Sequence, residues 1–187
     1  MAEGLPSEAV IGALVLKAQG GDTEAFGKVY DHFFDSVYRY VSFRVPSEMT
    51  EDIVADIFVK AWEKLHQYSA RKGVPFGAWI FRIARHAVID HYRSDEQVEE
   101  VPEDVIDADD WNRAETRTER NDLLKVVRSA FDQLTPRYRE VLSLSFIAEL
   151  PTNEVARVLK MTEGGVRILK MRALRKLQDF LPPDFQK

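Results

Sequence analysis

The stretch Leu134–Leu177, LTPRYREVLSLSFIAELPTNEVARVLKMTEGGVRILKMRALRKL, decides the reading of this chain. Pro151-Thr152-Asn153 is a helix start signal, in which Thr152 or Asn153 caps the first free N–H groups. Val155, Ala156, Val158 and Leu159 then give an apolar helical face. Met161-Thr162-Glu163 is a tight break, with Thr162 as the next N-cap. In the helix that follows, Val166, Leu169, Ala173 and Leu177 recur at spacings of three and four. Its other face carries Arg167, Lys170, Arg172, Arg175 and Lys176. Two short helices around a turn of about three or four residues, the second of them basic, is the geometry that enters a DNA major groove.

Composition makes that basic face a local feature. The chain has 187 residues, a net charge of −5 and a pI near 5.5. Hydrophobic residues make up 45% and charged residues 30%, enough to bury a core in a soluble protein. The net charge alone argues against nucleic acid, and the distribution reverses that argument. Arg71, Lys72, Arg82, Arg85 and Arg93 stand against Asp90 alone, and seven bases between Arg157 and Lys176 stand against Glu163 alone. Between them, Asp95–Asp110 holds nine acids and no base. Without cysteine, no disulfide framework or thiolate metal site is possible. Ala9–Leu16 is apolar but too short for a signal or a span, and no run of about 18 apolar residues occurs. A cytoplasmic protein without membrane insertion is the expectation.

Outside the acidic stretch the period is helical. Val10, Ala13 and Leu14 begin a short helix that ends at Gly20-Gly21. Asp22 or Thr23 caps a long helix whose apolar residues are Phe26, Val29, Tyr30, Phe33, Val37, Tyr38 and Val41. After Pro46, Ser47 or Thr50 starts a third helix, with a stripe of Ile53, Val54, Ile57, Phe58, Ala61, Trp62 and Leu65. Tyr68–Pro75 is a loop, and Phe76 to about Arg93 is a fourth helix. Helix returns near Arg113 and runs through Leu123, Leu124, Val127 and Phe131; Thr135 then caps a helix with Pro136 at its first position. No β-alternation of useful length occurs. The expected fold is all-α, with two small helical domains, 1–94 and 115–187, joined by a flexible acidic linker, 95–114.

The helix FGAWIFRIARHAVIDHYR, Phe76–Arg93, mixes aromatics with cations. Bases stack on rings while cations follow phosphates, so such a helix suits single-stranded nucleic acid. The plainer reading places Ile83 and Val88 in the core; for Trp79 both readings stand. Glu51, Asp52 and Asp56 lie along one edge of their helix, but no histidine or further acid completes a catalytic or metal site. Acids favour a helix N-terminus in any case, and a protein-binding face is the more informative alternative. The four histidines lack a metal spacing, Gly164-Gly165 is no phosphate loop, and no nucleophile motif is present. Neither an enzyme nor a metal or cofactor is expected.

These residues resemble a bacterial RNA polymerase sigma factor of the extracytoplasmic-function type (ECF, group 4 of the sigma-70 family), over about Val15–Leu181. KAQGGDTEAFGKVYDHFFDSVYRYV resembles the opening of sigma region 2, EDIVADIFVKAW the polymerase-binding helix, and FGAWIFRIARHAVIDHYR the helix that melts and reads the −10 element. Leu134–Leu177 resembles region 4, which reads the −35 element. The resemblance implies transcription initiation on core RNA polymerase and promoter DNA, duplex and single-stranded, with no chemistry of the chain's own. Many relatives are also held by an anti-sigma factor. By the same resemblance, Asp52, Asp56, Val59 and Lys60 face the β′ subunit, in a polymerase whose β and β′ subunits are both partners. The loop from Tyr68 through Arg71 and Lys72 to Phe76 captures a flipped −10 base, and Trp79, Arg82, Arg85 and His86 line the strand path. Thr162, Glu163, Gly164, Arg167, Lys170, Met171, Arg172 and Arg175 face the −35 element. The acidic linker follows the path of RNA.

Two positions depart from the family pattern. Ala55 stands where relatives often have glutamine. The common Gly-Thr-Val followed by Ser-Arg-Leu is here Gly164-Gly165-Val166 followed by Ile168-Leu169-Lys170, which places Leu169 in the core and turns Lys170 toward DNA. A stand-alone helix-turn-helix regulator would share Leu134–Leu177, but it would need neither Glu51–Trp62 nor Phe76–Arg93. A protein-only adaptor would not need Trp79, Arg82 and Arg85.

Overall fold

A computed structural model of the chain describes residues 7–70, 73–95 and 119–182, and these form eight α-helices without strands. Arg71, Lys72 and most of the acidic stretch lie outside the described residues. Helix α1 (Glu8–Gln19) stops at Gly20-Gly21, where Gly21 takes a φ of 94° that a side chain would resist. Helix α2 (Thr23–Ser42) starts at the cap Asp22, whose Oδ1 accepts the Ala25 N–H at 2.9 Å. Its buried face is Ala25, Val29, Phe33, Val37, Tyr40 and Val41. The expected stripe is thus rotated: Tyr40 goes inside, and Tyr30 and Tyr38 come out. The reason is a second apolar row, Phe26, Tyr30, Phe34 and Tyr38 at steps of four, whose rings follow one another along the flank beside Phe58 and Trp62.

Helix α3 (Ser47–Lys64) begins at Pro46 rather than at a polar cap, and Thr50 Oγ1 donates back to the Pro46 carbonyl at 3.2 Å. It buries Ile53, Val54, Ile57, Phe58 and Ala61 against α2 and α4, leaving Trp62 at the edge. A short 3₁₀ turn, Leu65–Gln67, leads out of it. Gln19 Nε2 donates to the carbonyls of both Leu65 and Tyr68 at 2.8 Å, tying the end of α1 to the start of the loop. Helix α4 (Phe76–Asp95) then crosses the bundle, with Phe81, Ala84 and Val88 completely enclosed.

The second half holds α5 (Glu119–Asp132), α6 (Pro136–Leu142), α7 (Thr152–Val158) and α8 (Glu163–Phe180). Arg139 donates to the carbonyls of Phe131 and Asp132, satisfying free C-terminal carbonyls of α5 with a cation placed where the helix dipole favours one, and to that of Leu134 in the turn beyond. Helix α6 does not run on as α-helix to Ala148. From Ser143 to Ile147 it widens into a π turn, closed by the Ala148 N–H on the Ser143 carbonyl at 2.9 Å. Helix α7 is capped differently from expectation. Pro151 holds the cap position and its carbonyl takes the Val155 N–H at 3.1 Å, so Thr152 and Asn153 are already inside the helix. Lys160, in the turn to α8, adopts a left-handed φ of 53°. Thr162 caps α8 as the sequence indicates, accepting the Gly165 N–H at 3.1 Å.

The two halves share one apolar core. Phe43 at the end of α2 meets Phe131 of α5 edge-on, with ring centroids 4.9 Å apart, and α4 packs along α7. Each large apolar side chain fully closed off from water, such as Ile57, Phe81, Leu142 or Leu144, contributes about 1.5–3 kcal/mol relative to an exposed one.

Candidate nucleic-acid interface

Helix α8 separates its faces cleanly. Val166, Leu169 and Ala173 are buried against α6 and α7, as their spacing requires. Thr162, Glu163, Gly164, Arg167, Met171, Arg172 and Arg175 are all exposed, which leaves the basic face open. Lys170 is elsewhere. It is half-buried on the flank, and its ammonium lies 5.6 Å from the centroid of the Phe146 ring. The shift of the apolar residue to Leu169 does place Leu169 inside, yet the residue it turns outward is Ile168. Ile168 went unrecognised in the sequence as a surface residue of interest. The signal was there in the spacing Gly164, Ile168, Met171, Arg175, which is the mirror of the buried row.

Helix α4 and its loop present a different picture. Tyr68 and Phe76 are buried, with ring centroids 5.1 Å apart, and Trp79 leans on both while remaining partly accessible. The Tyr68 hydroxyl donates to the Val74 carbonyl at 3.0 Å. The two buried rings therefore shape the loop from beneath, and Trp79 is the ring at the surface. His86 is exposed. Arg82 donates through Nε and Nη2 to the carbonyl of Arg157, at 3.2 and 2.6 Å. That carbonyl is on α7, the first helix of the helix-turn-helix, so a cation of one candidate DNA-reading helix is held by the backbone of the other half.

Beside Arg85 lies a charged cluster that no local pattern in the sequence announces. Glu140 of α6 is buried and accepts from the Tyr40 hydroxyl at 2.8 Å and from Arg44 Nη1 at 2.7 Å. Arg85 Nε stands 4.0 Å away on the same carboxylate. Burial works to raise the Glu140 carboxyl, but the Arg44 charge and the bonds from Arg44 and Tyr40 outweigh it and hold its pKa below the ordinary range. Burial also works against the Arg44 cation, and Glu140 outweighs it there as well. The Tyr92 hydroxyl closes the cluster on the Arg44 carbonyl. At the rim, Arg39 donates to the Ile147 carbonyl at 3.0 Å and pairs with Glu149 at 3.2 Å; this exposed pair is worth little by itself.

Glu154 of α7 is a further acid in this contact. It lies over Gly77, where a Cβ would overlap its carboxylate, and burial followed by the Glu8 charge pushes its carboxyl up to about 7. A carboxyl raised in the folded chain stabilises it fully below the ordinary value of 4.5 and loses that contribution as the pH climbs through about 7. Glu154→Gln should therefore melt higher than the parent chain. The gap in Tm should widen from about pH 5 and level off above about pH 7. A gap that stays constant over that range contradicts the assignment.

On α3, Asp52, Asp56 and Val59 are exposed in a row and Lys60 is partly covered. Trp62 borders the row, its ring edge-on to Phe26 at 4.8 Å. Ala55 is exposed within the same face, so the surface is continuous there without the longer side chain. Among the described residues, no group of three or more His, Cys, Asp or Glu side chains is placed to hold a metal ion, and no helix is long and apolar enough to cross a membrane.

An all-α chain that carries a helix-turn-helix and, packed against it, an aromatic-basic helix belongs among the DNA-reading transcription proteins. Comparison with known proteins narrows the class. Residues 29–97 match the model of sigma-70 region 2, and residues 130–179 match that of sigma-70 region 4. The ECF RNA polymerase sigma factor ShbA of Streptomyces griseus is 30% identical over 180 residues, covering 90% of this chain and 94% of that protein. The ECF RNA polymerase sigma factor BldN of Streptomyces coelicolor is 34% identical over 174 residues, covering 91% of this chain but 66% of BldN. Among solved structures, CnrH in complex with the cytosolic domain of CnrY is 27% identical with a TM-score of 0.70, covering 91% of this chain and 96% of that one. The chain belongs to the ECF sigma factors of the sigma-70 family.

Proposed function

We propose that this protein is an alternative sigma factor of the cytoplasm that binds core RNA polymerase, recognises a promoter and opens it, without chemistry of its own. The observation that carries this reading is the coexistence of three surfaces in one chain. The acidic-apolar row Asp52, Asp56 and Val59 offers a protein-binding face. Trp79, with Arg82, Arg85 and His86, offers a ring and cations for an unpaired strand. The outward face of α8 offers Arg167, Arg172 and Arg175 to duplex phosphates and base edges, with Thr162, Glu163 and Gly164 at its N-terminus and Lys170 on the flank. A stand-alone regulator needs only the last of these. Residues 1–94, 95–114 and 115–187 serve as polymerase and −10 module, linker and −35 module.

The docking of the halves bears on how the protein works. Arg82 and Arg85 are engaged by α7 and α6, so strand capture requires the halves to part. The free chain should accordingly bind promoter DNA poorly, and polymerase, by holding the two modules apart, should make it competent. CnrH bound to the cytosolic domain of CnrY supports a second protein partner, of the anti-sigma class that the family resemblance implies. The test is capture of core polymerase by the tagged full chain: a stoichiometric complex that survives gel filtration is expected, and its absence overturns the proposal.

A further inference from the structure

The outward face of α8 is not purely basic. Opposite the buried Val166, Leu169 and Ala173 runs the row Gly164, Ile168, Met171, Arg175, at steps of four, three and four. Ile168 is 50% exposed and Met171 46%. Two large apolar side chains thus sit at the centre of the solvent face, with Arg167 on one side and Arg172 on the other. Neither belongs to the buried row, and the helix is held without them, capped by Thr162 and seated by Val166, Leu169 and Ala173.

The surroundings select the partner. Apart from Glu163, which pairs with Arg167 at 3.2 Å, and Asp179 at the far end, the charged side chains of α8 are cations. An apolar pair framed by arginines suits a polyanion that carries apolar groups between its charges. Duplex DNA meets that description in the major groove. There guanine, cytosine and adenine present donors and acceptors, while thymine alone presents a methyl group. Along the helix axis Ile168 and Met171 are separated by about 4.5 Å. That is close to the base-pair rise of about 3.4 Å, so the two side chains meet neighbouring base pairs.

We propose that Ile168 and Met171 are specificity-determining residues that read thymine methyls in the upstream promoter element, while the arginines fix the helix on the phosphates. The element then contains thymine, on either strand, at one or two adjacent positions under α8. This inference rests on the reading of α8 as the −35 helix.

The test uses the full chain bound to core polymerase and duplex DNA with a randomised upstream window. The selected sequence is rebuilt from synthetic strands carrying either thymine or deoxyuracil within that window only, which removes the methyls and leaves every hydrogen-bonding edge intact. Deoxyuracil should weaken binding by about fourfold for each methyl read, the factor expected for one buried methyl-sized group. Ile168→Ala with Met171→Ala should abolish the difference between the two duplexes. Because both side chains are exposed and alanine favours helix, that variant should keep its Tm and its complex with core polymerase. A selected sequence whose thymine and deoxyuracil forms bind alike overturns the inference, as does a methyl effect that survives in the double variant. A polymerase complex that selects no upstream sequence fails differently: it removes the −35 reading itself, and the inference with it.

Discussion

Replacing Glu140 with alanine should destabilise the docked chain by about 3–5 kcal/mol, the cost of leaving a buried charge without its partner. The magnitude follows from what remains. Arg44 and Glu140 have side chains only 4% and 7% exposed, so water does not replace the missing carboxylate. Arg44 would stay charged inside the contact, Arg85 would lose its nearby anion, and the Tyr40 hydroxyl would lose its acceptor. Glu140→Gln separates the contributions, since an amide still accepts from Tyr40 but supplies no charge, and it should recover only a minor part of the loss. Joint replacement of Arg44 by methionine and Glu140 by leucine should restore most of it, because an apolar pair of similar volume carries no desolvation penalty. Urea denaturation of the three variants beside the parent chain reads this directly. An Arg44–Glu140 pair whose single variants cost no more than an exposed ion pair would place the contact in water, against the burial described above.

The second large effect concerns Asp56. Changed to lysine, it should leave the fold intact within about 0.5 kcal/mol, because Asp56 is exposed on α3 and the core stripe of that helix runs along its other side. Binding to core polymerase should nevertheless fall at least about tenfold, since a reversed charge in the centre of a protein-binding face meets like charge on the partner. Val59, one turn further along and 55% exposed, supplies the apolar part of the same face. A competition assay against labelled parent chain measures the loss, and the parent Tm serves as the control for folding. If Asp56→Lys competes as well as the parent, α3 is not the polymerase-binding helix.

What the sequence made legible was the local part of the structure. The inner stripe of α3, the Asp22 and Thr162 caps, the Gly20-Gly21 stop and the buried row of α8 all follow from periodicity and cap chemistry. These signals act over a turn or two of helix and survive any tertiary arrangement. The misreadings share a cause as well. Helix α2 carries apolar residues on two faces, and periodicity does not say which face meets the core, so Tyr40 and Tyr38 exchanged places. The same limit hid Ile168, because an apolar residue in a helix is assigned to the core unless the opposite row is examined. Glu140 in PRYREVL reads as an ordinary surface acid, and Arg44 as a cation before a proline break. Their partnership spans 96 residues, and no local rule reaches that far. The candidate site is divided in the same way. Its residue types were visible on each helix separately, whereas the engagement of Arg82 by the Arg157 carbonyl depends on how the halves meet.

Transcription with purified components tests the central claim most directly. Core polymerase, the full chain and genomic DNA fragments of the source organism are combined, and the 5′ ends of the transcripts are mapped. The account predicts discrete start sites that appear only when both proteins are present and that share two conserved elements at a fixed spacing upstream. Discrete binding of the chain alone to duplex DNA, with no start site gained on adding polymerase, would contradict it and identify a stand-alone regulator instead.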